Sequence, residues 1–343
     1  MQNATVLKPS IPFIMLSKHI PNIKKVLSCA ICVLLLQHTC LAWGFFAHRL
    51  INYHAVFLLP PEMLVLYKPN IGFLSEHAVD PDKRRYAIAN EGPRHYIDLD
   101  QYGAFPFDSL PRIWDSAVAK FGEEYLEAHG IVPWHIQAML TRLTAAFAAK
   151  DQQRILKLSA DIGHYISDAH VPLHACKNHN GQYTNQHGIH GFWESRIPEL
   201  FAEEEYDLLT GTAMYLASPG RFIWSRVLES AAASDTVLMT ESALSALFPA
   251  DQKFAFEERL GKITRQYSNA FSRLYQEKLN GMVERRFRQS IMAVAAFWYT
   301  AWVNAGKPDL RQLNHQQPSP YDLEEYETLN RAWQNGRILG REH

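Results

Sequence analysis

The sequence predicts an all-α fold: many helices that carry a metal site among them. Apolar residues recur at intervals of three and four over long stretches, as in Ile155, Leu158, Ile162 and Ile166, the repeat that buries one face of a helix. Nothing between residue 43 and the end of the chain alternates strongly enough to suggest a sheet. Proline and glycine stop the helical stretches, as at Pro60-Pro61 and Gly306-Lys307-Pro308.

Residues 1–42 read as a secretory signal peptide. Lys18, Lys24 and Lys25 form its positive region, Val26 to Leu36 its apolar run, and Thr39-Cys40-Leu41-Ala42 its small-residue cleavage site. The apolar run is too short to span a bilayer comfortably, although an uncleaved anchor is the competing reading. Met15 gives the signal more ordinary proportions as a start. The exported chain, periplasmic or extracellular, then begins at Trp43 and holds no transmembrane segment.

Helices are expected over His48–Leu59, Glu62–Tyr67, Ile113–His129, Trp134–Lys150, Gln152–Ala169, Phe222–Phe248, Phe254–Leu279 and Val283–Ala305. Asp80-Pro81-Asp82-Lys83-Arg84-Arg85 reads as a charged turn, and Tyr102–Pro111 as a loop. These elements make one domain over residues 43–308. Residues 309–343 are polar, contain Pro318 and Pro320, and read as a loosely attached tail.

The formal charge of −1 hides an asymmetry, because residues 1–42 hold four lysines and no acid. The remainder carries 30 Lys and Arg against 35 Asp and Glu, which argues against a broad basic surface for wrapping duplex DNA. Of the four cysteines, Cys29, Cys32 and Cys40 fall in the signal, leaving Cys176 without a partner for an internal disulfide. Stability must then come from packing and from metals.

The chemistry concentrates between His164 and Glu194, which hold six histidines with Asp168 and Glu194. The informative spacing is His164-x3-Asp168-x5-His174-x15-His190-x3-Glu194. Residues at i and i+4 share a helix face one turn apart, so His164 pairs with Asp168 and His190 with Glu194. Pro172 ends the first helix and lets His174 swing in. Imidazole mixed with carboxylate suits zinc and its neighbours, and one cysteine excludes a thiolate-rich structural site. His170, His179 and His187 stand outside the pattern and read as supporting or exposed histidines.

With Trp43-x4-His48 and Asp80-x14-His95 added, the chain from residue 43 onward resembles the zinc-dependent phospholipase C / S1–P1 nuclease superfamily. The resemblance implies three zinc ions at the bottom of a cleft. Asp80, His95, His164 and Asp168 would hold one; His174, His190 and Glu194 a second. His48, a bridging Asp168, and the free amino group and carbonyl of Trp43 would hold the third. It also implies phosphodiester hydrolysis with metal-acidified water, Asp80 orienting that water. Nuclease members carry an arginine three residues after this aspartate; here Lys83 stands there, followed by Arg84, and both become candidates for contacting phosphate.

On substrate the resemblance divides. The Trp-x4-His and Asp-x14-His spacings favour the nuclease branch, in which Tyr96 would stack on a base and Asp98 would bond its edge. Glu194 and the short loop before His190 favour the phospholipase branch. The expected activity is therefore a secreted zinc phosphodiesterase, leaning to single-stranded nucleic acid, with phospholipid head groups as the alternative and a non-catalytic zinc-stabilised binding protein as a remoter one.

Overall fold

Residues 44–259, 262–313 and 319–341 are described by a computed structural model, and all fall in one folded unit. The expected signal peptide and Trp43 lie outside the described residues. Among those described the chain is mostly helical, and no described helix is long and apolar enough to cross a membrane.

Four helices form the frame: α1 (Phe45–Val56), α7 (Val132–Ala148), α8 (Gln152–Asp168) and α13 (Met282–Asn304). Helix α8 starts where the Asp151 side chain accepts from Arg154 N at 3.1 Å, satisfying one of the donors that a helix start leaves open. Its apolar stripe joins the main core with Trp298 of α13 and Tyr67 of α2 (Pro61–Tyr67). The Trp298 indole donates to the Ser159 carbonyl at 2.9 Å, and the Tyr67 and Ser159 hydroxyls bond at 2.7 Å. Two helices are thereby fixed at one level of α8. Removing a ring as buried as Trp298 would cost about 3–5 kcal/mol.

Helix α1 crosses α8 at Asn52 and Gly163. Asn52 donates to the Leu74 and Ala160 carbonyls, each at 3.1 Å, and a Cβ on Gly163 would lie 2.1 Å from Asn52 Oδ1. Glycine thus permits the close approach that brings His48 of α1 beside His164 of α8.

Three expectations are corrected. Phe254–Leu279 is not one helix: β1 (Phe254–Arg259) and β2 (Lys262–Tyr267) pair antiparallel with Phe254 opposite Tyr267, and α12 (Asn269–Lys278) follows. The hairpin is held from outside itself. Tyr267 stacks on Phe192 at 3.8 Å between ring centres, and the Arg196 guanidinium donates to Glu257 at 3.0 and 2.5 Å. Helical spacing of the apolar residues was therefore coincident with a sheet pattern in which Phe256 and Ile263 stay exposed.

The C-terminal region is also more than a loose tail. Helix α14 (Pro320–Gln334) begins at a capping box between Ser319 and Asp322. It docks Tyr326 on His77 with ring centres 4.1 Å apart and Trp333 on Phe45 at 5.4 Å. The expected helix over 113–129 divides into α5 (Trp114–Phe121) and α6 (Glu123–His129). Gly122 between them has φ +81°, a left-handed conformation that breaks the helical run. Among the described residues Cys176 is buried and unpaired.

Candidate metal centre

Six places in the chain converge near the α1–α8 crossing. Helix α1 brings His48, and the last turn of α8 brings His164 and Asp168. Short helix α4 (Asp80–Arg84) and the 3-10 turn Gly92–His95 bring Asp82 and His95. His174 sits in the 3-10 turn Pro172–Ala175 that follows the end of α8. His190 lies in the one-turn helix α9 (Ile189–Gly191), and Glu194 in the π-helical turn Phe192–Arg196 continuing into α10 (Ile197–Glu205). A π turn is a widened turn often found at functional positions.

The side chains form three groups that could each hold a metal ion: His48, His164 and Asp168; Asp82, His95 and His164; and His174, His190 and Glu194. In the first two, which share His164, Asp168 Oδ2 lies 3.0 Å from His95 Nδ1 and 3.3 Å from His164 Nε2. Asp168 Oδ1 lies 3.4 Å from His48 Nε2. Asp82 Oδ1 stands 3.9 Å from His95 Nδ1 and 3.8 Å from His164 Nε2. In the third group, Glu194 Oε2 lies 3.0 Å from His174 Nε2 and 2.7 Å from His190 Nε2.

The opposite ring edges explain why these atoms face inward. His164 Nδ1 meets the Ala78 carbonyl at 2.8 Å, His174 Nδ1 the His95 carbonyl at 2.5 Å, and His190 Nδ1 the His179 carbonyl at 3.1 Å. A carbonyl only accepts, so each Nδ1 carries the proton and each Nε2 turns a lone pair to the centre. His95 is turned the other way: its Nδ1 faces the centre and its Nε2 lies 3.6 Å from Glu91. Lone pairs facing one another and carboxylates, in a buried site, require protons or cations between them.

Electrostatics agree. Burial lowers the His48 pKa to about 4, aided by neighbouring His164. Burial also opposes charge on His164, but Asp168 and Asp82 outweigh it and hold His164 at about 9. Asp168 and Glu194 are kept well below the usual carboxylate range; burial works against this, and the surrounding histidines prevail. Without metal, protons on histidine fill the role of cation.

Several residues expected at this site stand elsewhere. Asp80 is not brought to His95 and His164; Asp82 is. Successive helical residues advance about 100°, so residues two apart point nearly opposite ways. On α4 only one of the two aspartates can face the centre. Asp80 instead accepts from His77 Nδ1 at 2.5 Å and pairs with Lys83 Nζ at 3.0 Å. Arg84 runs into the interior, donating to Asp161 at 3.2 Å and to the Tyr165 hydroxyl at 3.2 Å. Lys83 and Arg84 are both tied up in these buried pairs. The arginine beside Asp82 is Arg85, with Nη1 3.8 Å from Asp82 Oδ1.

Tyr96 and Asp98 lie together, and Arg341 covers both. Its guanidinium carbon sits 3.9 Å over the Tyr96 ring, and its Nη1 lies 2.8 Å from each Asp98 oxygen. Of the other histidines, His170 donates from Nδ1 to the Ile166 carbonyl at 2.7 Å, His179 supplies the carbonyl that orients His190, and His187 is exposed. The sequence reading missed Asp82, Arg85, Glu91 and Arg341. A signal existed for Arg85, which follows Asp82 by three residues.

No protein-family model and no curated protein matches this chain.

Proposed function

We propose that this protein is a zinc-dependent phosphodiesterase acting on single-stranded nucleic acid, with three metals held by these residues, His164 serving one metal and Asp168 bridging the two groups that share it. One observation carries the reading: Nε2 atoms of His164, His174 and His190 face inward with carboxylates while their Nδ1 protons are spent on carbonyls. Asp82 takes the ligand place first expected of Asp80. With Arg85 three residues on, the Asp-x2-Arg spacing of the nuclease branch is present from Asp82, and this favours a nucleic-acid substrate. Glu194 as the carboxylate of the third group keeps phospholipid head groups as the second reading.

Bound in these groups, zinc supplies water acidified towards neutrality and positive charge for the phosphate oxygens. The chain's own residues do the rest. Arg85 presents a planar guanidinium suited to a phosphate oxygen pair. Tyr96 offers a ring face to a base and Asp98 accepts hydrogen bonds from the base edge. Burial of the histidines keeps bulk water from screening these charges.

The test sets zinc-loaded protein against bis-p-nitrophenyl phosphate, single-stranded DNA, RNA and phosphatidylcholine micelles. Turnover of the small diester, abolished by chelator and restored by zinc, is expected with hydrolysis of a single-stranded polymer. Hydrolysis of phosphatidylcholine alone would move the substrate to the second reading. Bound zinc with no turnover of any diester would leave a metal-stabilised scaffold.

A further inference from the structure

The donor atoms of the metal centre are almost closed off. His48, His95, His164, Asp168, His174 and His190 are each exposed by 3% or less. Only the side chains of Asp82 and Glu194 reach 12% and 13%. Beside Asp82, Arg85 is held by residues 339–341.

Beyond α14 the backbone turns at Gly340, whose φ of +99° is one that L side chains rarely adopt. Leu339 N donates to the Arg85 carbonyl at 2.8 Å, and Arg85 Nη2 donates to the Arg341 carbonyl at 2.6 Å. The Arg341 side chain then lies on Tyr96 and binds Asp98. One short segment thus occupies the candidate phosphate contact and both candidate base contacts. A guanidinium is planar, stacks on aromatic faces, and presents N–H donors to a carboxylate. A nucleobase would use the same ring and the same oxygens in the same way.

We propose that the Tyr96–Asp98–Arg85 shelf is a guanidinium site filled by this chain's own Arg341, so that the C-terminal segment excludes polymeric substrate until it is displaced or cut away. The inference rests on the phosphodiesterase reading for its consequence, but the occupancy of the shelf is separately measurable. The segment is tethered through α14, which Trp333 and Tyr326 anchor on Phe45 and His77. Short tethers give effective concentrations of about 1 mM, enough to compete with substrate present at micromolar levels.

The experiment compares the full-length zinc-loaded protein with R341A and R341K. R341A should hydrolyse a fluorescein-labelled single-stranded oligonucleotide roughly tenfold faster at limiting concentration, through a lower KM. Its rate on bis-p-nitrophenyl phosphate should stay within about twofold, because the substitution uncovers the base contacts Tyr96 and Asp98 and leaves the backbone carbonyl of residue 341 on Arg85. R341K should fall between, since a lysine keeps the charge without the planar fork. Tryptic cleavage after Arg337 should also be faster in R341A. A synthetic peptide of residues 334–343 should bind R341A by calorimetry, whereas the same peptide with alanine at 341 should not. Unchanged oligonucleotide hydrolysis with unchanged tryptic cleavage overturns the proposal, and so does slower oligonucleotide hydrolysis, which would make Arg341 a substrate contact. If no variant turns over any diester, the phosphodiesterase reading fails instead. Cleavage and peptide binding then still decide whether Arg341 fills the shelf.

Discussion

Asp80 and Asp82 face opposite sides of a single helical turn, Asp80 towards His77 and Lys83 and Asp82 towards His95 and His164. The two carboxylates therefore have different work. Asp82→Asn should remove a metal ligand, lowering zinc content and nearly abolishing diester hydrolysis. Asp80→Asn should leave zinc content intact and cost stability, by about 3 kcal/mol for loss of a buried charge partner. Zinc analysis beside denaturant unfolding checks both. The reverse pattern would return the ligand role to Asp80.

Gly44 lies against the third group. A Cβ there would stand 2.5 Å from Glu194 Oε1 and 3.5 Å from the His48 ring. Gly44→Ala should push the Glu194 carboxylate off its position between His174 and His190. Disturbing the support of a ligand lowers metal affinity by roughly 10–100-fold, which a competition titration with a chromophoric chelator would read. Wild-type affinity in the variant would mean that Glu194 yields without loss.

His164 sets opposite pH dependences for the metal-free and metal-bound protein. Its folded pKa of about 9 exceeds the ordinary 6.5. In chelated protein its contribution to stability is fully present below about 6.5 and is lost as the pH rises through about 9. Zinc must displace that proton, so zinc affinity should rise across the same window, by up to about tenfold per pH unit. Thermal unfolding of chelated protein and chelator competition at pH 6.5, 7.5 and 8.5 measure the two trends. Zinc affinity that is flat over this range would show that His164 binds no metal.

The parts of the site legible in the sequence were those fixed by helical geometry. An i, i+4 pair on helical backbone shares a face, which is why His164 with Asp168 was found on α8, and His190 with Glu194 despite the π turn that holds Glu194. The choice between Asp80 and Asp82 was not legible. Both lie in one charged turn, and only the direction of a five-residue helix decides which faces inward. Arg84 looked like a free cation because Asp161 and Tyr165, two of its partners, lie 77 and 81 residues further on. The hairpin Phe254–Tyr267 was missed because Phe256 and Ile263, seven residues apart, also fit a helical interval, although Leu260-Gly261 is a turn signal in the sequence. The placement of Arg341 on Tyr96 joins residues 245 positions apart, and no local pattern announces it.

His174 ties the groups together, donating to the carbonyl of His95 while its Nε2 faces Glu194. His174→Ala should lose roughly one zinc and most activity, since removal of a ligand costs far more than a change behind one. The same substitution also removes a support of His95, so partial weakening of its neighbour group is expected. Loss of activity with full zinc content would assign His174 to substrate instead.

The most direct test of the account is the zinc content of purified protein that begins at Trp43, measured by elemental analysis after zinc-replete preparation and removal of loosely bound ions. The three convergent groups of imidazole and carboxylate predict three zinc ions per chain. One ion or none would contradict it.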